Sequence, residues 1–249
     1  MPKLMATTSK AQFLTEVQTL LKERYPLEPG PDKLSILEAV VYAICHEGSP
    51  RGRAAQALAA FKDGFFDWNE VRVSSLDEIQ GILKDLDRPD ARAFQIRRFL
   101  RQLFEKTYGF SLDVLLKKPQ KEALKSLEEY EAFGSDYVEA MVTRLALAGH
   151  AIPVDAPTLR ALVRLGVAEG EAELPALRGV LERAVPKNRG GEFVDLIEEL
   201  AHDTCVEGEP DCPRCVLQKI CPTGQDYRAH AAPGKAAVKG KVNRTKTSE

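Results

Sequence analysis

The chain lacks most of the features that mark specialised protein classes. No apolar run approaches the roughly 20 residues needed to cross a bilayer; the longest, Leu34 to Cys45, is broken by Ser35 and Glu38. The opening stretch MPKLMATTSKAQF has no apolar centre of the kind a secretory signal carries. Neither a membrane protein nor an exported one is expected, and the expected compartment is the cytosol. No run of alternating β-branched residues is present, which removes the usual strand signal. There is no excess of positive charge either: 35 Lys and Arg stand against 37 Asp and Glu, a formal −2. Any nucleic-acid binding must therefore rest on local groups such as Arg51 with Arg53, Arg97 with Arg98 and Arg101, Lys117 with Lys118 and Lys121, or Lys187 with Arg189. Each of these also reads as an ordinary solvated helix face. Cysteines number only five, an odd count in a reducing compartment, so a metal or cluster site is a better expectation than a disulfide framework.

What the sequence does have is helical periodicity. Hydrophobic residues make up 44% of its 249 positions, enough for one large domain or two modest ones. They recur three and four apart in Leu37, Val40, Val41, Ile44; in Leu76, Ile79, Ile82, Leu83, Leu86; in Ile96, Phe99, Leu100, Leu103; in Val138, Met141, Val142, Leu145; and in Phe193, Leu196, Ile197, Leu200. Ser75 with Glu78 offers a capping box for the second series, and Tyr108-Gly109 stops the third. The chain is expected to be all-α, with about ten helices. Beyond Arg228 the segment AHAAPGKAAVKGKVNRTKTSE carries Lys235, Lys239, Lys241, Arg244 and Lys246 but almost no large apolar residue. It reads as a disordered basic tail, either inert or a weak tether to polyanions.

Four of the five cysteines fall in TCVEGEPDCPRCVLQKICP, at the spacing C-x6-C-x2-C-x5-C: Cys205, Cys212, Cys215 and Cys221. Structural zinc ribbons usually present two C-x2-C knuckles separated by a longer span, and here there is one. A loop this short must wrap something compact that prefers thiolates. A [4Fe–4S] cluster meets that description, and zinc remains the alternative. Cys45, on an apolar helix, reads as core.

The cysteine spacing resembles the cluster loop of the endonuclease III family of DNA glycosylases. Upstream, EEYEAFGSDYVEAMVTRLALAGHAIPVDAPTLRALVRLGV is similar to that family's helix-hairpin-helix, its following loop and its catalytic aspartate. The resemblance reaches from about Ser35 to Cys221. It implies two helical domains with the active site in the cleft between them: a six-helix barrel over residues 32–149, and a cluster domain made of residues 1–31 and 150–228, followed by the tail 229–249. It also implies a [4Fe–4S] cluster held by the four cysteines, whose loop places Arg214 and Lys219 near DNA phosphates.

Asp155 precedes a helix with Leu159, Leu162 and Val163 on its expected inward face and Pro157 in its first turn. On residues alone it is an N-cap, worth about 1 kcal/mol. By resemblance it is also the catalytic aspartate, whose negative charge stabilises the oxocarbenium-like sugar as the C1′–N bond breaks. Strand-cleaving members carry a lysine 18 residues before this aspartate. Here that position is Tyr137, and no lysine lies between Lys125 and Asp155. A phenol cannot form a Schiff base, so the resemblance implies a monofunctional enzyme without lyase activity. Tyr137 either lines the base pocket or is a buried aromatic bonded through its hydroxyl. The family hairpin Gly-x-Gly reads Phe133, Gly134, Ser135 here, with the acidic Asp136 next, so Gly134 and Ser135 are the candidate phosphate contacts. AICHEGSPRGR stands where the family places a glutamine-bearing pocket segment; His46 and Glu47 are the candidate polar readers of a flipped base, or else polar residues at a helix end. The reading is a monomeric base-excision repair glycosylase acting near the nucleoid on duplex DNA with a damaged or mismatched base. Its rival is a catalytically inactive DNA-binding paralogue.

Overall fold

The computed structural model describes residues 7–27, 33–169 and 173–230. Among these there is no strand, and twelve α-helices follow one another: α1 (Thr7–Arg24), α2 (Ile36–His46), α3 (Arg51–Gly64), α4 (Trp68–Val73), α5 (Leu76–Leu83), α6 (Pro89–Thr107), α7 (Gln120–Leu127), α8 (Asp136–Leu145), α9 (Ala156–Arg164), α10 (Leu174–Ala184), α11 (Lys187–Asp203) and α12 (Pro222–His230). The all-α class expected from periodicity is the one adopted. Helices exceed the expected ten because short ones such as α4, WNEVRV, hold too few apolar residues to show a period.

Local chemistry sets the ends. Ser35 with Glu38 and Ser75 with Glu78 both form complete capping boxes, each satisfying two N–H groups that a helix start leaves free. At the end of α6 the left-handed residue is Tyr108, at φ 52°, rather than the neighbouring Gly109. The expected stop is there, but its unusual backbone falls one residue earlier.

Burial divides the described residues between two apolar cores. The first spans Leu34 to Val142 and is centred on α2, which is buried along its whole length except at Glu38; a helix apolar on nearly every side has to lie inside. The second joins Leu14, Val17, Leu21 and Tyr25 of the N-terminal segment to residues from Ile152 to Cys221. α1 packs on α10 and α11, and α9 on α11. The expected boundary near residue 31 lies outside the described residues, as does the tail from 231 onward; Ala229 and His230, expected in that tail, are the last turn of α12.

Between the cores lies a layer of charge, half-buried at Asp195, Arg144 and Arg51 and fully buried at Glu198 and His46. Asp195 of α11 pairs with Arg144 of α8 at 3.1 Å and with Arg51 of α3 at 3.2 Å. Glu198, one turn later, meets His46 Nε2 at 3.3 Å and accepts the Tyr137 hydroxyl at 3.0 Å. Charges removed from water persist only when paired, so this layer fixes how the two cores sit against each other.

Candidate active site

Asp155 lies in an extended conformation ahead of α9 and is 5% exposed. Its Oδ1 accepts the N–H of Thr158 at 2.9 Å, the expected N-cap bond. Its Oδ2 accepts the N–H of Gly48 at 2.8 Å, a bond between the two cores that nothing local in the sequence announces. Gly48 sits at φ 76°, a left-handed conformation that suits glycine. The turn that carries it is held from behind by Arg92 of α6, whose guanidinium donates to the carbonyls of Asp87, Ile44 and Glu47 and to Ser49 Oγ.

Asp155 forms part of the wall of a cleft of about 450 Å³, together with Glu47, Gly134, Ser135, Asp136 and Tyr137. Leu159, expected to face inward, also lines this cleft; the buried face of α9 is Thr158, Ala161 and Leu162. Glu47 caps the C-terminus of α2 and accepts a hydrogen bond from Ser135 Oγ, 3.1 and 3.2 Å from its two oxygens. Burial, reinforced by the neighbouring Asp155 charge, pushes the Glu47 carboxyl above its ordinary range, against the opposing pull of Ser135, Arg92 and Arg88. Ser135 also caps α8 by accepting the N–H of Val138 at 3.4 Å. Gly134 borders the cleft with open space where a Cβ would project. Phe133 turns into the first core.

Tyr137 is the buried, hydrogen-bonded aromatic of the second expectation, its hydroxyl donating to buried Glu198, and it also lines the cleft. Burial first, then the charge of Glu198, raise its hydroxyl well above the usual phenol range. His46 requires a correction. It is 1% exposed and directed at Glu198, so it reads no base and is no surface residue; the polar group that its segment gives the cleft is Glu47.

The four cysteines of the loop after α11 line a separate, tight cavity of about 20 Å³, walled by Leu165, Leu200 and Leu217. Among the described residues no three His, Cys, Asp or Glu side chains come close enough to grip a single ion, so the sulfurs frame a space. Burial, followed in Cys212 by the neighbouring cysteines, raises the thiols of Cys212, Cys215 and Cys221. Arg164 Nη1 lies 3.6 Å from Cys205 Sγ, and its guanidinium also donates to the carbonyls of Cys205, Val206 and Gly208. A soft, four-sulfur donor set around one cavity fits an iron–sulfur cluster. Cys45 is fully buried in the first core, its thiol raised to about 12 by burial.

The sequence matches no known family profile, and no characterised protein matches it at a significant level. Its backbone, however, matches solved structures along most of its length. A trapped endonuclease III–DNA covalent intermediate aligns over 90% of this chain and 99% of its own, with a TM-score of 0.69 at 14% identity. A non-covalent endonuclease III–DNA complex aligns over 88% and 98%, with a TM-score of 0.67 at 15% identity. A thermostable thymine-DNA glycosylase aligns over 89% and 100%, with a TM-score of 0.64 at 20% identity. The chain has the endonuclease III-like fold.

Within that fold the remaining site expectations separate. Arg214 and Lys219 are exposed on the cysteine loop and are not among the residues lining the cleft, and Arg214 is engaged by Asp211 at 3.1 Å and Asp203 at 3.6 Å. Several of the basic groups are tied into the fold: Arg51 to Asp195, Arg98 to Glu131, and Arg189 to Thr15 Oγ1. Glu198 went unnoticed in the sequence, although a signal was present. It falls one turn after Val194 and one before Ala201, within the apolar stripe of α11, where a carboxylate demands partners.

Proposed function

We propose that this protein is a monofunctional DNA glycosylase of base-excision repair, hydrolysing the N-glycosidic bond of a damaged or mismatched base in duplex DNA and leaving the strand uncut. The observation that carries the reading is Asp155: a carboxylate on the wall of a cleft large enough for a base, oriented through both oxygens by backbone N–H groups. Held so, it needs no reorganisation when positive charge develops on the sugar, the condition under which an electrostatic group accelerates most. Water, deprotonated toward Asp155, adds to C1′. No lysine is among the described residues lining the cleft, and Tyr137 supplies no amine, so covalent sugar capture has no nucleophile there. The DNA-bound endonuclease III structures that share this fold support duplex DNA as the partner.

Cys205, Cys212, Cys215 and Cys221 would hold a [4Fe–4S] cluster. With four sulfur ligands filled it would supply shape and redox capacity and no hydrolytic chemistry. Purified protein should carry about four irons per chain; one zinc and no iron would exclude the cluster. In this reading residues 32–149 form the barrel domain, residues 1–31 with 150–228 form the cluster domain, and the protein works as a monomer in the cytosol beside the nucleoid.

The hairpin favours a second reading. Phe133 and Ser135 stand where two glycines would let backbone approach phosphate, and Asp136 adds a negative charge at the start of α8; a binding protein without turnover would tolerate both. Incubating the protein with duplexes bearing single lesions, then heating in alkali, separates the two. The glycosylase gives breaks only after alkali, and borohydride traps no adduct. Binding without any alkali-labile site across the panel supports the inactive paralogue.

A further inference from the structure

The cleft is acidic. Among its described lining residues Glu47, Asp136 and Asp155 carry carboxyl groups, and none is Lys, Arg or His. That bias bears on which base can leave. The departing base takes the electron pair of the broken C1′–N bond. A neutral pyrimidine such as uracil or thymine therefore leaves as an anion, which the carboxylates of Asp136 and Asp155 in a confined space repel. A purine that is already cationic leaves as a neutral molecule.

Resting on the glycosylase reading, we infer that this cleft takes purines that are positively charged when the bond breaks, and that Glu47 is the general acid that supplies the charge where the lesion does not. Glu47 is placed for this by the fold. Its backbone is fixed by Arg92, its carboxyl is directed at the hairpin by Ser135, and the next residue, Gly48, clamps Asp155. The two carboxyl groups thus face one cavity from the same turn and the opposing helix start. On its other side Glu47 borders a smaller cavity lined by Arg88 and Arg92, whose charges, with the Ser135 bond, favour the carboxylate; burial and the Asp155 charge outweigh them and shift Glu47 toward the protonated form, the direction a proton donor requires.

The chemistry balances for both kinds of purine. With a neutral purine, Glu47 gives its proton to a ring nitrogen and the C1′–N electrons pass into the base, which leaves neutral. Water bonds to C1′, its proton goes to Asp155, and solvent returns a proton to Glu47 and takes one from Asp155. With an N-alkylated purine the ring is already cationic and Glu47 donates nothing; the base leaves neutral, and the proton of water again passes to Asp155 and on to solvent.

The test uses the full-length protein on duplexes carrying one 7-methylguanine or 3-methyladenine, one hypoxanthine or mispaired adenine, or one uracil or mispaired thymine. Wild type should release both kinds of purine at least about 100-fold faster than either pyrimidine. Glu47→Gln, which keeps the size and the bond to Ser135, should slow neutral-purine release at least about 100-fold and methylated-purine release by less than about tenfold. Asp136→Asn, at a half-exposed site, should narrow the purine preference several-fold; an unchanged preference overturns the electrostatic argument even if Glu47→Gln fails to fold. Uracil or thymine released as fast as purines, and lost in Asp155→Asn, would leave the glycosylase standing and sink this inference. Equal slowing of both purine kinds by Glu47→Gln would remove it as the acid. No release from any duplex would overturn the glycosylase reading, and this one with it.

Discussion

Replacing Asp155 with asparagine separates the two tasks of that carboxylate. One oxygen accepts from Thr158 and the other from Gly48, at 2.9 and 2.8 Å. An amide has one oxygen and one NH2 group. If the oxygen keeps the Thr158 cap, the NH2 group faces the Gly48 N–H, donor against donor. At an ordinary N-cap, Asp and Asn are near equals, so a simple cap predicts almost no change. Here one charge-assisted bond is lost and a buried donor is left unpaired, which costs about 1–3 kcal/mol. A domain with about 5–15 kcal/mol in hand remains folded.

In the proposed reaction the expected loss is larger. Removing one preorganised electrostatic group slows the chemical step by about 100- to 1000-fold. Both numbers come from one variant, by denaturant titration followed by circular dichroism and by single-turnover base release on the best duplex of the panel. DNA affinity, measured by fluorescence anisotropy, should hold within a few-fold. A midpoint equal to wild type would refute the Gly48 bond. Base release within about tenfold of wild type, from folded protein, would reduce Asp155 to a helix cap and remove the mechanism.

Two further predictions concern stability. Glu198→Ala strips the partner of His46 and Tyr137 from a wholly buried site, and urea unfolding should show a loss of about 3–5 kcal/mol; a loss below about 1 kcal/mol would mean that the charged layer does not hold the cores together. Burial opposes the Glu198 charge, but His46, Arg144 and Tyr137 outweigh it and hold this carboxyl below its ordinary value of 4.5. Its contribution is therefore complete above that pH and is lost as pH falls through the lower folded value, so the wild-type melting temperature should drop more steeply in acid than that of Glu198→Gln. Gly224→Ala would put a Cβ 2.7 Å from the carbonyl oxygen and 2.8 Å from the Cα of Gln218, inside the cysteine loop. Backbone has little room to yield, so the variant should lose about 1–3 kcal/mol and be purified with less iron per chain; wild-type iron content and melting together would show the loop to be plastic there.

What the sequence made legible was whatever is decided within a few residues. The Ser75–Glu78 box, the Asp155 cap and the helical stripes of α2, α6 and α8 all depend on spacings of three or four. What it hid depends on residues that meet only after folding. His46 looks like a polar residue ending a helix until Glu198, 152 positions later, turns out to face it. Arg51 looks like part of a basic patch until Asp195 pairs with it between the cores. Glu47 acquires its hydrogen bond from Ser135, 88 residues away. In each case the residue type signalled a polar need, and only the fold supplied the partner.

These hidden pairings are also what makes a working cleft conceivable in a chain whose hairpin is so altered. A carboxylate anchored only by its own helix would be held through one oxygen, leaving the plane of the group, set by rotation about Cβ–Cγ, less well fixed. Gly48, from the opposite core, takes the second oxygen and sets the plane of the group. The left-handed turn at Gly48 is in turn pinned by Arg92, and the two cores are held in register by Asp195 and Glu198. The orientation of Asp155 is therefore a property of the joint between the cores as much as of α9. Loosening that joint at Glu198, 43 positions beyond Asp155 in the sequence, should disturb the Gly48 bond before it disturbs the Thr158 cap. The bond most sensitive to the joint is thus the one that aims the charge into the cleft.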